Sequence, residues 1–216
     1  MLEILLDFLP SILFFLAVGL ILFGLLRLLK SNTFKGWLGE KKVAWALRSC
    51  MLPGDKLIND LYLINPQNGM SSQIDHLLIS TRGLFVVETK NISGVLYGNN
   101  DLPNWTQVLA NGNVIHEFYN PVKQNGTHIS TLKKVLKTDV QMENIIVFVQ
   151  VNTQKIDSNN VRTLREIKSY LCSVKKRRLL TKTQCDEFYD ILRAAKKHPA
   201  VSKRKHRKNI KRNHKT

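Results

Sequence analysis

The stretch Gln73-Ile74-Asp75-His76-Leu77-Leu78-Ile79-Ser80-Thr81-Arg82-Gly83-Leu84-Phe85-Val86-Val87-Glu88-Thr89-Lys90-Asn91 decides how this chain folds. Two runs of mostly apolar, often β-branched residues flank Thr81-Arg82-Gly83, a loop containing glycine. That pattern predicts an antiparallel hairpin with strands over 73–80 and 84–91. Charged residues interrupt its apolar faces. Asp75 precedes Leu77 and Ile79 at the two-residue period of a strand, Glu88 follows Leu84 and Val86, and Lys90 continues the face of Glu88.

Upstream, residues 37–50 read as a helix that ends before Pro53-Gly54. Glu40 falls in register with Trp37, Val43, Ala44 and Leu47, so it faces the core or a cleft in it. A buried carboxylate costs several kcal/mol unless it is paired or binds a metal. Glu40, Asp75 and Glu88 together predict an oxygen-rich metal site, suited to Mg²⁺ or Mn²⁺ and not to zinc. An internal salt-bridge network of Asp75, Glu88 and Lys90 explains the same residues, and both readings stand at this point.

Further elements extend the hairpin. Strands are expected over 56–64 and 95–97, and a second hairpin over 105–118 turns at Asn111-Gly112-Asn113. Asn120-Pro121 opens a helix with asparagine as N-cap and proline at the first position. Ile129, Leu132, Val135 and Leu136 give that helix its apolar stripe. Residues 144–151 carry Ile145-Ile146-Val147-Phe148-Val149, a strand buried on both faces. Residues 160–172 and 182–197 read as helices. The order predicts an α/β fold with a mixed central β-sheet flanked by helices.

The ends of the chain differ from its middle. Phe8 to Leu26 holds no charged residue and, as a helix, is about 28 Å long. Residues 1–33 are therefore expected to form a single transmembrane anchor and a Ser31-Asn32-Thr33 linker. A cleaved signal peptide fits poorly, because Glu3 and Asp7 stand where a basic n-region is needed and no small-x-small site follows. Arg27, Lys30, Lys35, Lys41 and Lys42 place the following domain, residues 34–195, on the cytoplasmic side of the cell membrane. The net charge is +17, and eleven basic residues follow Asp190 with no acidic one. The tail, residues 196–216, is expected to attract nucleic acid or anionic lipid, or simply to solubilise. Cys50, Cys172 and Cys185 show no zinc spacing and no Cys-x-x-Cys pair, which fits a reducing compartment.

No phosphate-binding loop, nucleophile elbow or dinucleotide fingerprint is present, which argues against an ATPase, a serine hydrolase and a Rossmann oxidoreductase. Asp75 followed by Glu88-Thr89-Lys90 resembles the Asp…Glu-x-Lys signature of the restriction-endonuclease-like, or PD-(D/E)XK, superfamily. More narrowly, five sets of residues resemble the nuclease-related domain (NERD) family. They are Gly36-Trp37-Leu38-Gly39-Glu40, Gln73-Ile74-Asp75-His76, Gly83 through Asn91, the trio Gly94, Gly98 and Trp105, and Asn120-Pro121-Val122-Lys123-Gln124-Asn125. The resemblance covers roughly residues 34–136. It implies a restriction-endonuclease-like sheet and a divalent-metal nuclease site. By position, Asp75 and Glu88 would ligate the metal, and Lys90 would sit beside the scissile phosphate. Glu40 matches the acidic position of the first helix and Gln124 the glutamine of the later one. Ile74 replaces the superfamily's proline. The function implied is a membrane-anchored, divalent-metal-dependent nuclease acting on DNA or RNA. The alternative is a catalytically inactive nucleic-acid-binding or scaffold membrane protein that keeps the fold. His128 is read as a packed or capping residue, Trp105 as core, and His76 as pointing away from Asp75.

Overall fold

The computed structural model describes residues 2–109, 112–150 and 155–196. The chain divides into two compact units, Met1–Leu38 and Gly39–Thr216. The first contains helix α1 (Leu2–Lys30) and the start of α2 (Asn32–Arg48). Ser31 separates the two helices, and its Oγ accepts the Phe34 N–H at 3.2 Å as an N-cap. Within α1, Leu13–Lys30 is long and apolar enough to cross a membrane, a property that a signal sequence shares. Its apolar side chains are uncovered: Phe15 and Leu20 are each 71% exposed.

The second unit is mixed α/β. Its larger sheet joins β1 (Lys56–Ile64), β2 (Ser71–Ser80), β3 (Gly83–Lys90), β7 (Met142–Phe148) and β9 (Val161–Thr163) in the order β1-β2-β3-β7-β9. The first three strands are antiparallel, and β7 and β9 run parallel to β3. Helices α3 (Pro121–Leu136) and α5 (Lys182–Lys196) cover one face, through Leu132, Leu136, Cys185, Phe188 and Leu192. The rest of α2 and α4 (Leu164–Ser173) cover the other, through Val43, Ala46, Leu47, Ile167 and Leu171. Ile145 and Val147 face the second layer and Ile146 and Phe148 a third cluster, so β7 is the two-sided strand its sequence predicts.

A smaller sheet, ordered β6-β5-β4-β8, comprises β4 (Val95–Asn99), β5 (Asn104–Leu109), β6 (Val114–Tyr119) and β8 (Ile156–Asp157). Trp105 anchors it. The ring is fully buried, stacks on Phe148 at 6.2 Å, and donates its indole N–H to the Asn99 carbonyl at 2.8 Å. Gly98 makes room for it, since a Cβ there would lie 2.4 Å from the indole.

The structure corrects the expected helix over 160–172 at its start. Val161–Thr163 pair with Ile146–Phe148 as a strand, which suits the β-branched Val161 and Thr163. Thr163 then caps α4 in a capping box with Glu166. The helix expected over 37–50 begins earlier, at Asn32. The first residue of the predicted turn at 111–113 and nearly all of the basic tail lie outside the described residues.

Strands β1 and β2 change parity together. Ile58, opposite Leu77, belongs to the cluster under α3 and α5; so do Leu61, opposite Ile74, and Leu63, opposite Ser72. Three-residue steps from Ile58 to Leu61 and from Ile74 to Leu77 break the two-residue alternation. Between them lie Asp60, with φ of +50°, and Asp75. The hairpin is kinked where Asp75 sits.

Candidate functional site

The kink explains the position of Asp75. Backbone pairing between β2 and β3 is recorded from Ser80–Gly83 to His76–Val87. One step further, the Asp75 Oδ2 itself accepts the Thr89 N–H at 2.9 Å. Continuing the same register puts Asp75 across from Glu88. Burial raises the Asp75 carboxyl well above the usual carboxylate range. The Glu88 charge raises it further, the Thr89 N–H lowers it, and Glu40 and Lys90 make smaller opposing contributions. Asp75 thus feels a carboxylate from the strand beside it and one from the first helix.

Glu88 is buried and tied to α3. Its Oε1 accepts the Lys90 ammonium at 2.8 Å and the Gln124 side-chain amide at 2.8 Å. Lys90 also donates to the Gln124 Oε1 at 3.0 Å, which closes a three-membered ring of polar contacts. The other carboxylate oxygen, Oε2, lies 3.9 Å from the His128 Nε2. The His128 Nδ1 is 2.6 Å from the Ser72 Oγ. Gln124 and His128 stand one turn apart on α3 and meet the same carboxylate, so His128 borders the cluster and is not merely packed. The sequence signal for it was the four-residue spacing from Gln124 on an apolar face.

The segment that opens α3 holds Gln124 in place. Asn120 caps the helix, accepting the Val122 N–H at 2.9 Å, and donates to the Leu102 carbonyl at 2.7 Å. Asn125 is fully buried and donates to the Val86 carbonyl and the Asn144 side chain, each at 2.9 Å. Asn144 in turn donates to the Val122 carbonyl at 2.9 Å. These asparagines clamp the N-terminal turns of α3 against β3 and β7. Gly39 does similar work on α2, where a Cβ would come within 2.6 Å of the Asn91 side chain. Only glycine lets this helix, with Glu40, approach the end of β3 so closely.

The structure therefore brings Asp75, Glu88, Lys90 and Gln124 together, with Glu40 near enough to act on Asp75 through its charge. His76 points elsewhere: its Nδ1 bonds the Asn59 side chain at 2.8 Å. Among the described residues, no three His, Cys, Asp or Glu side chains are gathered closely enough to form a ready-made metal shell. The donors present are carboxylate oxygens, which fit a hard divalent cation that keeps part of its water shell.

Fold and site define a class: an α/β protein with a carboxylate, lysine and glutamine cluster on a kinked hairpin in a mixed sheet. The nuclease-related domain family model matches residues 35–149, more than half of the chain, and the chain belongs to that family. It is similar to an uncharacterised protein of Bacillus anthracis, 32% identical over 115 residues, which are 53% of this chain and 53% of that protein. The chain thus matches about half the length of that curated relative. No solved structure matches it.

Proposed function

We propose that this protein is a membrane-anchored, divalent-metal-dependent nuclease that hydrolyses phosphodiester bonds of DNA or RNA. The observation that carries this reading is Asp75, a partly buried carboxyl held across from the Glu88 carboxylate, while the Lys90 ammonium is bonded to Glu88 and Gln124. That arrangement is costly in the metal-free protein and is relieved by a bound cation. Asp75 and Glu88 would hold Mg²⁺ or Mn²⁺, and Glu40, whose charge reaches Asp75, would close in as a third carboxylate only with the ion bound. When bound, the ion supplies Lewis acidity toward the phosphate and acidifies water. Lys90, fixed by Glu88 and Gln124, presents an ammonium to the charge that develops on the phosphate oxygens. Gln124 sets the position of both Glu88 and Lys90. Residues 13–30 serve as the anchor, residues 34–195 as the nuclease domain on the cytoplasmic face, and residues 196–216 as a non-specific grip on nucleic acid or anionic lipid.

One observation favours the second reading, an inactive scaffold that keeps the fold. Glu88 is already paired with Lys90 at 2.8 Å, as a purely structural salt bridge would be. The test is direct. The full chain in detergent or nanodiscs is incubated with labelled DNA and RNA, with Mg²⁺, Mn²⁺ or EDTA. Cleavage that needs the metal and is lost in Asp75→Ala supports the nuclease. Binding without cleavage in every condition supports the scaffold.

A further inference from the structure

A groove of about 370 Å³ lies between α2 and α4, lined by Lys41, Lys42, Trp45, Ala46, Leu164 and Lys168. Its size falls toward the lower end of the roughly 300–1,000 Å³ typical of small-ligand sites. Three of its six residues are lysines and none is acidic. Trp45 is 65% exposed, although Ala44 and Ala46 beside it are buried. The Lys168 ammonium, from the other helix, sits 4.2 Å from the centroid of the Trp45 ring. Most of the indole thus stands in solvent, with one cation from α4 over its ring.

We infer that this groove binds one unpaired nucleotide of a single-stranded nucleic acid, with the base stacked on Trp45 and its phosphates met by Lys41, Lys42 and Lys168. This deepens the proposed function and rests on it. Aromatic faces accept any base, and lysines follow the backbone, which is how single strands are held without regard to sequence. A base needs an apolar face, which the almost wholly apolar surface of the groove gives, and a phosphate needs positive charge, which the side chains of its three lysines carry. A membrane surface would also welcome tryptophan and lysine, but a flat lipid interface does not fill a concave cleft between two helices. The groove begins one residue beyond Glu40, the helix position whose charge reaches Asp75. An unpaired nucleotide held there makes single-stranded nucleic acid the substrate class that the proposed nuclease would favour.

The test uses the full chain in neutral-lipid nanodiscs with EDTA, so that binding is read without cleavage. Labelled single-stranded oligonucleotides with ordinary bases, and the same lengths built of abasic units, are titrated by anisotropy. Trp45→Ala is expected to weaken binding of the base-bearing strand about tenfold, within the range for loss of one base–aromatic stack. It should leave the abasic strand unchanged, and Trp45→Phe should restore most of the affinity. Equal affinity of parent and Trp45→Ala for both strands overturns the inference, and if the parent still cleaves with Mg²⁺, the proposed function survives. A parent that neither binds nor cleaves overturns both. Quenching by brominated lipid that is present in the parent and lost in Trp45→Phe, without any effect of oligonucleotide, overturns the inference in favour of a lipid contact.

Discussion

At the scale of single residues, the three charged groups of the hairpin are predicted to separate cleanly. Asp75→Ala and Glu88→Ala should abolish metal-dependent cleavage and weaken Mn²⁺ binding measured by calorimetry. Lys90→Ala should bind Mn²⁺ nearly as the parent does, yet turn over on the order of a hundredfold more slowly, the usual loss of about 3 kcal/mol for one electrostatic contact. Stability gives an independent reading. The Lys90 side chain is 22% exposed and keeps its bond to Gln124, so losing Glu88 does not strand it. The metal-free Glu88→Gln protein should therefore melt within about 1 kcal/mol of the parent. A loss of 3–5 kcal/mol, typical of breaking a buried pair, would assign the contact to structure. His76 offers a pH test. Burial lowers its pKa to about 4, with Lys41 and Arg48 adding to the effect and Asp60 opposing it. A histidine with a depressed folded pKa binds protons more readily when unfolded. Its contribution is whole above about 6.5 and is lost as the pH falls toward 4, by about 3 kcal/mol. His76→Gln should flatten the stability profile across that window in thermal melts.

At the scale of elements, Arg82 links the loop between β2 and β3 to its surroundings. It is 1% exposed, pairs with Asp55, and donates to the Leu171 carbonyl at 3.2 Å and the Cys50 carbonyl at 3.3 Å. Arg82→Ala would strand the Asp55 charge, which is itself 97% covered as a side chain, and should cost about 3–5 kcal/mol in a denaturant titration. Replacing both partners, as Arg82→Met with Asp55→Leu, should recover much of that loss. The sequence shows Arg82 only as the middle of a polar loop, because its partners are distant in the chain and leave no periodic mark. The strands were legible from their alternation and from the glycine between them, and α3 from Asn120-Pro121. β8 and β9 were not, since two- and three-residue strands are too short to show a period. The site divides in the same way. Asp75, Glu88 and Lys90 stood out because charge on an apolar face breaks a local pattern. The kink at Asp60 and Asp75 did not, because it exists only when both strands shift together. Asn125 was hidden as one polar residue in a helical turn, although it is the clamp that holds Gln124 over Glu88.

At the scale of the whole molecule, one cysteine reports on sidedness. Cys172 is exposed, Cys50 is partly covered and Cys185 is buried, and burial together with the Asp55 and Asp186 charges raises the Cys185 thiol. A membrane-impermeant maleimide should leave Cys172 unlabelled in intact cells and modify it within minutes after lysis. Labelling before lysis would place the domain outside. The order of the strands bears on how such a chain is made. β3 waits for its parallel neighbour β7 until three strands of the smaller sheet, β4 to β6, and α3 have been synthesised between them. That is about fifty residues, and at ribosomal rates of about 5–20 residues per second it is a delay of several seconds. During it, the apolar meander of β1, β2 and β3 has left the ribosome with the edge of β3 unpaired. Pairing with the wrong edge is then a hazard of timing, set by the order of synthesis and absent from the finished fold.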